Sequence, residues 1–382
     1  MSKANNRPKW IFTLFIICLV TLVISSAGFY FYIKTKAKKA NLAFPSQMAD
    51  SFRSAFGIEF VKWLEKSLHN FNDTRKRFLY TLFGEKVQAR KINASETANM
   101  LVTNTQGKPI DIKPYLSGTP VPNEGKWLHQ NMPKSEGKPI IYKTRLRVDP
   151  KRPFCILEIA SIDINMVKFH LVAGSKYYGL RGKKGAGHIH YLDRNKLVAS
   201  MNGGFLPQHR SGGMIIKSKE FIRMIPGKAT LIFYKNGNVE ITVWKRKMKR
   251  KIDSILHARQ NLNILLKNGR FNRRATYWGI VKKGEDAVHN WRSGVGLTKD
   301  RKRLIYIAGN AVSPKSLALA FKLVGCDVAM HMDMNISNIA FNVYRHRDGD
   351  VQPISLSERF WQHMIGAYIN GYTHDFIYMT KK

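Results

Sequence analysis

Trp10 to Ile33 (WIFTLFIICLVTLVISSAGFYFYI) carries no charged residue. A run of this length can cross a hydrocarbon core about 30 Å thick. It constrains everything after it to a fold tethered at one end beside a bilayer. A cleaved signal peptide has an apolar core of only about 7–15 residues, so the run is expected to stay as a single-pass anchor. Ser25-Ser26-Ala27 offers a peptidase a small-residue site, and cleavage stands as the alternative. Lys3, Arg7 and Lys9 precede the run and Lys34, Lys36, Lys38 and Lys39 follow it, so the basic flanks nearly balance. The short basic tail, residues 1–9, resembles an export signal. That reading keeps the N-terminus inside and sends the C-terminal part to a periplasmic or extracellular space.

Charge sets the second bound. The 382 residues hold 64 Lys+Arg against 25 Asp+Glu, a net +39. Such an excess draws polyanions: anionic lipid head groups, phosphorylated glycans or nucleic acid. Hydrophobic residues at 44% exclude a disordered chain. No nucleic-acid recognition motif is present, and an anchor argues against access to nucleic acid in vivo. Cys18 lies in the anchor; Cys155 and Cys326 sit in apolar, strand-like contexts. They read as two buried free thiols, with one disulfide between them as the alternative. No cysteine spacing suggests zinc. His188 and His190 share a face if extended, with Asp193 nearby, but two histidines are too few for a metal, and no metal or cofactor is expected.

Along the chain, residues 41–102 read as a helical, membrane-proximal region. Met48, Phe52, Phe56, Phe60, Trp63 and Leu64 recur at spacings of three and four, interspersed with Lys62, Lys66, Arg75, Lys76 and Arg77. This face either packs on its own domain or lies on an anionic membrane surface. Residues 103–139 are rich in Gly, Pro, Asn and Lys and read as a loop or linker. The main domain is expected over 140–382. Strands are predicted at Ile140–Val148, Phe154–Ile162 and Met166–Val172. A hairpin is predicted at Ala229–Lys235 and Asn238–Trp244, around a type I′ Asn236-Gly237 turn. A helix is predicted from Ile252 to about Lys267. Another starts at Ser313-Pro314 and stops at Gly325, and a last one starts at the capping box Ser355-Leu-Ser-Glu358. Hairpins come first and helices later. The expected fold is therefore α+β, with largely antiparallel or mixed sheets and packed helices, behind a transmembrane helix and membrane-proximal helices.

Two apolar, strand-like runs end abruptly in polar residues. One is Val198–Met201, ending at Asn202-Gly203-Gly204-Phe205 and followed by His209-Arg210. The other is Ala329-Met330-His331-Met332-Asp333, followed by Met334-Asn335. Two glycines after a strand permit close backbone approach, in a plain turn or a ligand site. His331 and Asp333 point to one face if extended, as an acid–base pair or with His331 as a core residue. Between the two runs lie Trp291-Arg292-Ser293-Gly294-Val295-Gly296 and the helix Ser316-Leu-Ala-Leu-Ala320.

In this order and spacing, over roughly residues 125–345, these segments resemble the phosphodiester glycosidase family, to which the mannose-6-phosphate uncovering enzyme belongs. The resemblance implies hydrolysis of the bond between a sugar anomeric carbon and a phosphate. It implies site positions at Asn202, Arg292 and Asp333. Arg292 can contact phosphodiester oxygens bidentately. Asn202 with the Gly203 and Gly204 amides can hold a sugar hydroxyl or phosphate oxygen. Asp333 can act as base, nucleophile or stabiliser of a cationic sugar. His331 joins these as a catalytic candidate, and His209, Arg210 and Asn335 as substrate-binding candidates. The family's glycine-rich turn after the Asp is replaced here by Met334-Asn335-Ile336-Ser337. The expectation is a membrane-anchored, exported hydrolase acting on a sugar–phosphate linkage in an anionic envelope glycan or polymer. A non-catalytic envelope protein binding anionic lipid or polysaccharide is the alternative.

Overall fold

The computed structural model describes residues 58–91, 104, 107–206, 212–275, 289–334 and 336–382. The expected anchor and residues 41–57 lie outside them. No described helix is long and apolar enough to cross a membrane. Leu68–Lys382 forms one compact unit; of the separate unit before it, only the start of one helix is described.

That helix is α1 (Ile58–Phe83). Among the described residues it is followed, in chain order, by strands β1 (Lys134–Ser135), β2 (Lys138–Pro139), β3 (Ile141–Leu146), β4 (Leu157–Asp163), β5 (Val167–Val172), β6 (Leu197–Asn202), β7 (Met214–Ile216), β8 (Lys219–Ile222), β9 (Ala229–Tyr234) and β10 (Val239–Val243). Then come β11 (Ile255–Gln260), β12 (Ile264–Lys267), β13 (Arg270–Phe271), β14 (Asn290–Thr298), β15 (Arg303–Val312), α2 (Pro314–Leu323), β16 (Cys326–His331), β17 (Phe341–Arg347), β18 (Asp350–Ser355), α3 (Ala367–Asn370) and β19 (Phe376–Lys381). The order is β13-β12-β16-β14-β15-β4-β3 in a seven-stranded sheet, β18-β17-β6-β19-β5 in a second, and β10-β9-β11-β7-β8 in a third; β1 and β2 pair alone. Every pairing between these strands is antiparallel, as expected.

The seven-stranded sheet is buried on both faces, which explains its unbroken apolar runs. Along β15, Leu304, Tyr306 and Ala308 enter the core shared with the other two sheets, while Ile305 and Ile307 enter the core under α2. This is the two-residue period of a strand. α2 forms as its sequence signals: Ser313 caps it by accepting from the Ser316 amide, Pro314 opens it, and Gly325 follows it at φ 80°. Phe321 of α2 packs directly over β14. A Cβ on Gly296 would come within 2.7 Å of its ring and one on Gly294 within 3.0 Å, so the two glycines admit it. Cys155 and Cys326 are free, buried thiols; burial pushes the Cys155 thiol up to about 12.

Three sequence expectations change. Ile252–Lys267 is not a helix. A short 3-10 turn, Arg246–Ser254, leads into β11 and β12 instead. β11 sits centrally between β9 and β7, and burial on both faces outweighs the local helical spacing. Ser355-Leu-Ser-Glu358 does not start a helix. Ser355 ends β18, and the Ser357 hydroxyl accepts from the Arg359 amide in a local turn. The β9–β10 hairpin forms, but only Gly237 takes positive φ, at 88°. The Tyr234 amide donates to the Asn238 carbonyl, closing a three-residue loop with a left-handed glycine rather than a type I′ turn. Separately, within the stretch 103–139, read as linker, the described residues Ile112, Leu116 and Trp127 are buried.

Candidate functional site

β6 ends at Asn202, which is 1% exposed. Its amide is fully engaged. Nδ2 donates to Ser293 Oγ at 3.0 Å and to the Gly203 carbonyl at 3.1 Å; Oδ1 accepts from Tyr306 Oη at 2.7 Å. Ser293 in turn donates to the Asp333 carbonyl at 2.6 Å. The Asp333 amide donates to the Gly203 carbonyl at 2.9 Å. Ser293 thus ties the Asn-Gly-Gly turn to the end of the His331–Asp333 strand, joining two sheets at one point.

Behind the turn lies a charged network. Gly204 N donates to Asp375 Oδ2 at 3.1 Å, and Arg259 Nε donates to the same oxygen at 2.7 Å. Tyr177 Oη donates to Asp375 Oδ1 at 2.5 Å. Arg259 and Asp375 are both fully buried in side chain. Burial alone would lower the Arg259 pKa; Asp375 and Tyr177 outweigh it and hold the guanidinium charged. Burial, with Asp375 beside it, keeps the Tyr177 hydroxyl protonated. A Cβ on Gly203 would fall 2.0 Å from Asp375 Oδ2, so only glycine lets the turn sit against this carboxylate.

The other side of the junction is different. His331 pairs with Gly294 across β16 and β14, so it shares the α2 face of the sheet, and Arg292 lies two residues along β14 on that face. Arg292 is fully buried; its Nε donates to the Val312 carbonyl at 2.7 Å, and Nη1 meets Met334 Sδ. The Asp333 carboxylate accepts from the Met334 amide at 2.6 Å and from Asn338 Nδ2 at 2.9 Å. Tyr372 donates to Asn338 Oδ1 at 2.7 Å. Burial first, then Asp333 and Asp375, hold the Tyr372 hydroxyl protonated. His331 is 1% exposed, and neither ring nitrogen makes a hydrogen bond among the described residues. Burial, helped by the Arg292 charge, lowers its pKa to about 3. The Ala275 backbone opposes this in direction, at a separation outside hydrogen-bond geometry. The ring is therefore neutral across the physiological range.

The structure thus brings Asn202, Gly203, Gly204, Arg292, His331 and Asp333 to one junction. It splits them between two faces: Asn202 meets Ser293 on the inter-sheet side, while Arg292 and His331 lie toward α2. All four polar side chains of the set are at most 4% exposed. His209, Arg210 and Asn335 lie outside the described residues. His188 and His190 are engaged locally, Nδ1 of the first with the Ala186 carbonyl and Nδ1 of the second with the Leu192 amide. No group of three or more His, Cys, Asp or Glu with metal-binding geometry occurs among the described residues. Sequence reasoning missed Arg259, Asp375 and Tyr177. Arg259 was hidden by the helical reading of its segment, and Asp375 sits in the polar stretch Tyr372–Asp375, with no local pattern to flag it.

No protein-family model matches the chain, and no curated protein matches it. Similar solved structures do exist. The zebrafish N-acetylglucosamine-1-phosphodiester alpha-N-acetylglucosaminidase catalytic domain, auto-inhibited by its pro-peptide, is 11% identical, with TM-score 0.44, covering 77% of this chain and 95% of its own. A hypothetical protein from Synechocystis is 8% identical, with TM-score 0.33, over 63% of this chain and 62% of that one. A putative exported protein from Burkholderia pseudomallei is 10% identical, with TM-score 0.31, over 59% and 74%. At these scores the likenesses assign no residue and no activity to this chain.

Proposed function

We propose that the chain is a hydrolase of the phosphodiester-glycosidase type, exported and membrane-anchored, cleaving a sugar–phosphate linkage in an anionic envelope glycan or polymer. The observation that supports this most is the junction at Ser293, which holds the Asn202-Gly203 turn against Asp333 through bonds of 3.0 and 2.6 Å. In this reading Asp333 is the reacting carboxylate, aimed by the Met334 amide and Asn338. A phosphate leaves readily without a proton donor, so one carboxylate suffices where ordinary glycosidases need two. The buried Arg292 charge favours an anion beside Asp333. Burial holds His331 neutral against protonation, so Asp333 rather than His331 carries the base role in this reading. The +39 charge raises the local concentration of an anionic polymer.

A second reading has its own support. Asn202, Arg292, His331 and Asp333 are nearly closed to solvent, and Met334 stands against Arg292 in place of a glycine turn. These features suit a non-catalytic envelope protein that binds anionic lipid or polysaccharide. The two readings separate in one assay: release of a chromogenic group from a panel of sugar phosphodiesters, with wild type beside Asp333→Asn. Turnover by wild type that the variant loses supports hydrolysis. An inert wild type that still binds polyanions supports the second reading.

A further inference from the structure

A cavity of about 810 Å³ lies under the C-terminal half of α1. Leu79, Tyr80 and Phe83 wall it on the helix side, and Phe154, Trp291 and Phe360 on the other. Its size falls in the range of small-molecule sites, roughly 300–1,000 Å³, and its walls are those of an apolar ligand site. Lys76 and Arg359 also line it, with the Glu158 carboxylate. Glu158 is 4% exposed and sits 3.4 Å from Arg359 Nε and 3.6 Å from Arg145 Nη2.

The helix above the cavity is pinned in place. Asp73 receives both Arg152 Nε and Nη2, at 2.7 and 2.6 Å, and Tyr80 tilts over Phe154 with ring centroids 6.2 Å apart. These contacts set the helix face at Asp73, Lys76 and Tyr80 toward the protein. The opposite face carries Phe71, Phe78 and Leu82, exposed by 68%, 61% and 56%, at helical spacing, and Phe83 is 84% exposed at the helix end. Arg75 is exposed among them, and Arg77 is exposed on the helix flank. A continuous apolar stripe on a pinned helix is a docking surface rather than scattered surface variation. Aromatic residues interleaved with arginine suit the head-group boundary of an anionic bilayer. The same chain carries the uncharged Trp10–Ile33 run upstream, and its +39 charge complements anionic head groups.

We propose that this face of α1 docks on an anionic bilayer and that the cavity beneath it takes one acyl chain of an anionic phospholipid. The chain lies between Phe83, Tyr80, Trp291 and Phe360, and the head-group phosphate meets Lys76 and Arg359. Lipid binding here does not depend on whether the Ser293 junction hydrolyses anything.

Trp291 reports on the cavity directly. The full-length protein is reconstituted into phosphatidylglycerol vesicles with brominated or plain acyl chains. The fluorescence of Trp291→Phe is subtracted from that of wild type. Bromine quenches tryptophan only near contact, so the Trp291 component should lose most of its intensity in brominated lipid. Leu79→Glu, at a half-exposed cavity position, should restore it. Equal Trp291 intensity in brominated and plain lipid would overturn the proposal, as would undiminished quenching in Leu79→Glu. A parallel series in brominated phosphatidylcholine should quench less; equal quenching would overturn the assignment of Lys76 and Arg359 to the phosphate.

Discussion

At the Asn202-Gly203-Gly204 turn, the Asn202 amide, the Asp375 carboxylate and the Arg259 guanidinium are all hydrogen-bonded. At the end of β16 the His331 ring is just as buried and makes no hydrogen bond among the described residues. The two regions meet at Ser293, yet they are built on opposite terms. A buried polar group without a partner costs roughly 1–3 kcal/mol, and a fully bonded network holds one geometry firmly. The turn is therefore a scaffold. The strand end keeps a buried imidazole that makes no hydrogen bond among the described residues, with the Arg292 charge near it.

The largest expected effect tests the scaffold. Arg259→Met leaves Asp375 buried with its charge uncompensated, which should cost about 3–5 kcal/mol in a denaturant titration. The double variant Arg259→Met/Asp375→Leu should recover part of that loss, because no lone charge remains. Additive losses would show that the pair does not act as a unit. Next in size is Gly203→Ala. Its Cβ would need to enter space held by Asp375, and overpacking of this kind costs typically 1–3 kcal/mol. An unchanged midpoint would mean that the turn yields easily and is no scaffold.

The smallest effect at neutral pH belongs to the other region. His331→Leu removes a buried ring that makes no hydrogen bond among the described residues and should raise stability by about 1 kcal/mol. Its pH profile should change more. Folded His331 and His257 both titrate near 3, against about 6.5 in an unfolded chain. Between those values the unfolded state binds more protons, so stability rises with pH across the window and is lost as pH falls through it. Each group contributes a slope of up to about 1.4 kcal/mol per pH unit. The variant should therefore lose stability less steeply below pH 6.5, by about one proton. An identical acid slope would place His331 in a hydrated or bonded site.

Legibility in the sequence followed the same divide between local and distant causes. The α2 helix was readable because Ser313, Pro314 and Gly325 act on their own neighbours. The strand end at Asp333 and the Asn202 turn stood out because apolar runs stop there. β11 was not readable as a strand, because its burial depends on β7 and β9, which come from elsewhere in the chain. The Asn261-Leu262-Asn263 break inside the expected helix was the available signal, and Leu262 indeed takes φ 48°. Arg259 and Asp375 lie 116 residues apart, and nothing in either neighbourhood announces the other.

The division between the scaffold turn and the carboxylate proposed to react is tested most directly by Asp333→Asn beside Asp375→Asn. Each is followed by thermal unfolding and by hydrolysis of sugar phosphodiesters that wild type turns over. The account predicts that Asp333→Asn melts near wild type and is inert. It predicts that Asp375→Asn melts well below wild type but turns over substrate while it remains folded. An Asp333→Asn protein with wild-type turnover, or an Asp375→Asn protein that is stable and inert, would contradict it.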